Sequence, residues 1–204
     1  MKIFGFDFSN LSYSAQENLK HNRRVMKTLE RSVENGFSKD GFIENQNRLG
    51  CIRYSARDFA YCGCGCIAYW NILFSRGKRI GIPRLASEME KGCFFRGVFG
   101  TNAFFLKRFM EKKGEKVDVD ISPEDILQNG AKEAIVMYYK KPRIAHYVAF
   151  TFVDTDENGK RLYRFYNVGG RLMRKFGEGN PVIMTLEDYI EQTKYNFAIY
   201  YKLG

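Results

Sequence analysis

The sequence predicts an α+β domain with a helical N-terminal half and an antiparallel sheet in its C-terminal half. Three observations carry this expectation. Apolar residues recur every three or four positions through 14–35, 64–77 and 102–113, the spacing of one buried helix face. From residue 133 the period falls to two, in 134–139, 144–153 and 161–167, which are rich in Val, Ile, Tyr and Phe. Between the last two runs stands Asp156-Glu157-Asn158-Gly159, a hairpin turn.

Taken in order, the first helix is expected over 14–35, with Ser14 as N-cap, Leu19, Val25, Met26 and Leu29 as its stripe, and Gly36 closing it. Residues 37–60 read as loop with short extended pieces, among them Cys51-Ile52-Arg53-Tyr54. A helix starts near Cys64, buries Ile67, Trp70, Leu73 and Phe74, and stops at Gly77. Pro83 opens the next helix, 83–91. An aromatic, glycine-rich loop follows at 92–100, then a helix over 102–113 capped by Thr101 or Asn102 and ended by Gly114. Ser122-Pro123-Glu124-Asp125 has capping-box character and starts a short helix. After the three strands come a capped helix at 185–190 and a last strand at 196–202.

At 204 residues the chain suits one well-packed unit. We divide it into a helix and extension, 1–49, packed on a domain spanning 50–204. Lys and Arg number 33 against 23 Asp and Glu, a net charge of +10, but the cations fall in short scattered clusters. That pattern reads as a solvated surface, and no nucleic-acid partner is expected. The opening residues, with Asp7 in a short apolar run, do not make a secretory signal, and no stretch approaches the ~20 apolar residues of a membrane span. Five cysteines, three of them at alternate positions, form a poor disulfide framework and fit reduced thiols. The expectation is therefore cytoplasmic.

The chemistry-bearing stretch is Tyr61-Cys62-Gly63-Cys64-Gly65-Cys66, immediately before a helix. A sulfur there faces unpaired N–H groups and the positive end of the helix dipole, and both favour thiolate. One of two histidines, His146, lies on the 144–153 strand. A hairpin closing at 156–159 sets position 146 across from about 169, within two residues of Asn167. Cysteine nucleophile, histidine base and orienting asparagine form an acyl-transfer set. Taken singly, each has a plainer explanation: a buried thiol, a core histidine, a turn-initiating asparagine. His21, between Lys20 and Arg23-Arg24, reads as a surface residue.

Cys64-Gly65-Cys66-Ile67-Ala68-Tyr69-Trp70-Asn71-Ile72-Leu73, with Gly77 behind it, resembles the nucleophile segment of papain-like cysteine peptidases of the compact bacterial kind. It resembles the related double-glycine peptidases that process bacteriocin leaders. His146-Tyr147-Val148 and Phe165-Tyr166-Asn167 resemble their later segments, and Gly97–Asn102 is similar to clostridial proteins of this type. The likeness covers about 50–202. It implies a papain-like fold and a peptidase with Cys64 as nucleophile, His146 as base and acid, Asn167 as orienter and a thioester acyl-enzyme.

It implies no cofactor and no metal, and a peptide or protein as partner. The motif also fits in a register that starts at Cys62 or at Cys66; Cys64 also places Ala68, Asn71, Leu73 and Gly77. These families carry glutamine six residues before the nucleophile, where it donates to the oxyanion; here that position is Asp58. Gln46, Asn45 or Asn47 are the alternative donors. Gly65, Phe99, Gly100 and Tyr147 are candidates for the substrate cleft, with loop 93–100 as its wall. Other readings are an acyltransferase or transglutaminase-like enzyme with the same triad, a degenerate peptide-binding module, and a zinc site made by Cys62, Cys64, Cys66 and His146.

Overall fold

The computed structural model describes residues 2–3, 6–7, 12–140 and 144–204. A small antiparallel pair, β1 (Lys2–Ile3) and β2 (Phe6–Asp7), precedes α1 (Ala15–Thr28). Ser14 Oγ accepts the Glu17 N–H at 3.3 Å, so the helix starts where its cap predicts. It ends at Thr28, well short of Gly36. Gly36 instead closes a separate one-turn 3₁₀ helix, Val33–Asn35, with φ +86°. Helix α1 is fastened by buried amides: Asn18 Nδ2 donates to Ser55 O and Glu90 Oε2, and Asn22 exchanges two 2.8 Å bonds with the Arg53 backbone.

Residues 46–48 form a second 3₁₀ turn, and Arg53–Tyr54 (β3) pairs with Arg57–Asp58 (β4). Then α2 (Phe59–Cys62) passes through Gly63 directly into α3 (Cys64–Ser75). Every residue from Cys64 to Leu73 is buried, not only the Ile67–Trp70–Leu73 stripe that periodicity picks out. A helix apolar all round is a central helix. Its one buried polar side chain, Asn71, is satisfied by the backbone of Ile43, with Oδ1 accepting at 3.0 Å and Nδ2 donating at 2.9 Å. Helices α4 (Ile82–Met89) and α5 (Ala103–Lys112) follow, the latter capped by Asn102 Oδ1.

The sheet has six antiparallel strands: β5 (Val117–Asp120), β6 (Glu133–Lys140), β7 (Ile144–Thr155), β8 (Arg161–Tyr166), β9 (Val182–Thr185) and β10 (Phe197–Leu203). Their order is β5-β10-β6-β7-β8-β9. Three more helices, α6 (Glu124–Asn129), α7 (Gly170–Phe176) and α8 (Leu186–Thr193), lie between strands in sequence. The sheet separates two apolar cores. On one face Ile135, Met137, Tyr147, Ala149 and Tyr166 pack against α3. On the other, Val136, Tyr138, Val148, Phe150 and Phe165 pack with Ile126, Leu172 and Tyr189 of α6–α8. The alternation of strand side chains accounts for this division.

The entry into α3 is tight. A Cβ added at Gly65 would lie 2.7 Å from the side chain of buried Thr101, whose carbonyl accepts the Tyr147 hydroxyl at 3.0 Å. Gly65→Ala is therefore expected to cost about 1–3 kcal/mol of stability, read as a shift in the urea midpoint. An unchanged midpoint would mean that Thr101 moves aside freely.

Candidate active site

Cys64 opens α3 and is buried, with 6% of its surface exposed. The N–H groups of Tyr147, Gly65 and Cys64 itself point at its sulfur and favour thiolate. Burial outweighs them and pushes the thiol up to about 11. The helix N-terminus thus supplies donors, as the sequence suggests, but the resting sulfur is a thiol at neutral pH. Cys62 is buried in α2; it donates to Asp58 O at 3.4 Å and lies against Cys93, and this contact together with burial drives its thiol far up. Burial raises Cys66 likewise. All five cysteines are free, and among the described residues no group of three or more His, Cys, Asp and Glu side chains is arranged to hold a metal ion.

His146 is the third residue of β7 and pairs with Tyr138 of β6, whose ring meets its own edge-on at 5.8 Å. Its Nε2 lies 2.7 Å from the backbone oxygen of Asn167. A carbonyl only accepts, so Nε2 carries the proton and Nδ1 keeps its lone pair. Burial holds the imidazole below its ordinary 6.5, against the pull of that carbonyl, so the resting ring is neutral with Nδ1 as its basic atom.

The pairing of β7 with β8 shifts by one residue between Phe152 and Asp154 and ends at Ala149–Tyr166, short of His146. Asn167 follows β8 with φ +57°, a left-handed conformation that asparagine tolerates. The imidazole partner is the backbone oxygen of Asn167, where the triad scheme has its carboxamide. That carboxamide is held elsewhere: Oδ1 accepts the Gln46 N–H at 3.1 Å and Nδ2 donates to Gln46 Oε1 at 2.8 Å. The Asn167 N–H donates to Glu44 Oε2 at 3.0 Å. Glu44 is buried, and Arg164 Nη2 donates to its other oxygen at 3.0 Å. Glu44 and its partner Arg164 carried no motif that marked them in the sequence.

Cys64 and His146 share one peptide group. The N–H aimed at the sulfur is that of Tyr147, the next residue after His146. The sulfur reaches it from the α3 side, whereas His146 leaves on the Tyr138 face. Among the described residues the sulfur and the imidazole make no hydrogen bond to each other.

The other candidates are placed as follows. Asp58 Oδ1 accepts the Tyr61 N–H at 2.9 Å and so caps α2. Gln46 Nε2 donates to Ala60 O at 3.1 Å, so that amide hydrogen is engaged. Asn45 Oδ1 accepts from the Asn47 N–H and its Nδ2 donates to Glu178. Tyr147 is a core side chain that joins the site through its backbone. Gly65 has no space above it, Gly100 has φ +72°, and Phe99 is 48% exposed in the aromatic loop. A cleft of ≈ 440 Å³ opens beside His146 and Asn167, with Asn47, Gln46 and Tyr138 in its wall.

No protein-family model matches the sequence, and no curated protein does so either. Among solved structures, the fold is similar to the peptidase domain of Streptococcus ComA, a bi-functional ABC transporter involved in a quorum sensing pathway. The two are 17% identical with a TM-score of 0.44, over 68% of this chain and 90% of that one. No helix among the described residues is long and apolar enough to cross a membrane.

Proposed function

We propose that the chain is a cysteine peptidase in which Cys64 is the nucleophile, His146 the base and then the acid, and Asn167 the residue that holds the imidazole. The observation that carries this reading is the shared peptide: the Cys64 sulfur takes the N–H of Tyr147, the residue next to His146. It is supported by the tautomer, because an Nε2–H committed to Asn167 O leaves Nδ1 free to accept a proton.

In this reading the resting pair is neutral, thiol and imidazole. As Sγ attacks the substrate carbonyl, its proton passes to Nδ1, which requires the ring to close on the sulfur when substrate binds. The oxygen that gains charge is met by the leading N–H groups of α3, those of Cys64 and Gly65. Nδ1–H then protonates the departing amine as the C–N bond breaks, leaving a thioester. Water, giving its proton to Nδ1, cleaves the thioester and restores the thiol. The extension 1–49 belongs to the working unit, because Glu44 and Gln46 hold Asn167 in place.

The test is to expose the protein to a nitrophenyl ester and a peptide library, quench with acid, and map acylation by mass spectrometry. An acyl group on Cys64 that turns over in water supports the reading. Acylation spread over Cys51 and other accessible nucleophiles, with none on Cys64, would overturn it.

A further inference from the structure

The cleft beside His146 lies on the side of the sheet away from α3, and its walls carry cations without acids. Lys140, from the end of β6, and Arg171, from α7, both line it, and no Asp or Glu does. Where the folded chain buries a cation it sets acids against it: Arg76 sits between Glu115 and Glu133, and Arg164 between Asp40 and Glu44. Among the described residues neither Lys140 nor Arg171 takes part in any ion pair. The rest of the wall is mixed, with Tyr138 and Leu172 apolar and Asn47 and Gln192 able to donate and accept. A concave wall with two unpaired cations and amide side chains fits an anionic group carried on a polar, extended chain.

We infer that this cleft binds a peptide through a carboxylate, with Lys140 and Arg171 as its cationic partners. The inference rests on the reading above that the substrate is a peptide, and it names what that substrate must carry. The carboxylate is either the chain terminus or an Asp or Glu side chain. Two separate cations place it between the β6 end and α7, beside the imidazole.

The experiment uses full-length Cys64→Ala protein, which cannot turn substrate over, immobilised and equilibrated with nine-residue random peptide pools. One pool has a free C-terminus and no Asp or Glu; a second is amidated and also lacks them; a third is amidated with Asp or Glu at one position. Bound peptides are counted by mass spectrometry. Carboxylate-bearing peptides are expected to be enriched about tenfold over the second pool, and Lys140→Gln/Arg171→Gln to abolish the enrichment. Enrichment in the first pool alone assigns the site to a chain terminus, and in the third alone to an acidic side chain. The control, Lys20→Gln/Arg24→Gln on α1, removes the same charge from another exposed face and is expected to leave the enrichment unchanged. Equal retention of all pools, or equal loss in the control, would overturn the inference. Enrichment by a protein that never acylates Cys64 would leave the inference standing and remove the peptidase reading. Acylation without enrichment would do the reverse.

Discussion

Cys64→Ala is expected to abolish acyl-enzyme formation and to lower hydrolysis by at least about 10³-fold, while the protein stays folded. In the proposed reading the Cys64 sulfur makes the new bond, and the neighbouring thiols are otherwise engaged or more deeply buried. Cys62 already donates to backbone oxygens and leans on Cys93, and Cys66 is 1% exposed. His146→Ala is expected to cause a loss of similar size at pH 7, for a different reason. With a thiol held near 11, about one sulfur in 10⁴ is thiolate at pH 7 without a base to take its proton. The two variants therefore differ in their pH profiles. The intact protein gains acylation rate as pH rises through the imidazole value, which burial sets below 6.5, and then levels off. His146→Ala has no such plateau and climbs about tenfold per pH unit toward the thiol value. Stopped-flow release of nitrophenol from an ester measures both. If His146→Ala kept its rate within tenfold at pH 7, the imidazole would not be the base.

The sequence makes some of this legible and hides the rest for definite physical reasons. Local signals are reliable where one residue settles a helix end. Ser14, Asn102 and Thr185 each cap the helix that they open, and the turn at 156–159 joins β7 to β8 in a register that a bulge between Phe152 and Asp154 shifts by one residue. Signals fail where tertiary packing decides. The stretch after Thr28 keeps apolar residues and a closing glycine, yet the chain leaves the helix and makes a one-turn 3₁₀ helix instead. Val117–Asp120 carries only two apolar residues and forms an edge strand, where the acids face solvent. Asn167 taken singly suggests a turn, but Leu172 beyond it is drawn into the second core and a helix forms around it. At the site, the spacing of Cys64, His146 and Asn167 can be read from sequence alone. That the Asn167 backbone holds the imidazole, while Gln46 takes its carboxamide, follows from a positive φ and a contact 121 residues away in sequence.

Glu44→Ala is expected to destabilise the protein by about 3–5 kcal/mol, the range for breaking a buried charged pair. It leaves the Asn167 N–H without its acceptor and Arg164 with Asp40 alone. Arg164 itself is packed over Phe42 and Tyr166, at 4.4 and 5.0 Å from the ring centres, and cannot swing into water without losing both contacts. A second signature distinguishes the carboxylate from mere packing. Burial raises the Glu44 carboxyl from 4.5 to about 7, against the pull of the Asn167 N–H and Arg164. The native protein then binds this proton more tightly than the unfolded chain does. The stability that comes from it is complete below about pH 4.5 and is lost as pH rises through about 7, a change of about 3 kcal/mol.

Asp40 has the opposite sign, because Arg164 holds it at about 2. Its contribution is present above 3.8 and is lost as pH falls through 2, outside this window. His146 also opposes Glu44, since a ring held below 6.5 in the native state makes stability rise with pH as the unfolded chain gives up its proton. The intact protein therefore shows a compressed profile, and the difference from Glu44→Gln isolates the carboxyl. Urea unfolding at pH 4.5, 6 and 8 is expected to show the wild type losing ground to Glu44→Gln by about 3 kcal/mol across that range. A difference that stays flat with pH would mean that the Glu44 carboxyl titrates alike in the native and unfolded chains. The cost of burying the carboxylate would then be fully compensated by Arg164 and the Asn167 N–H.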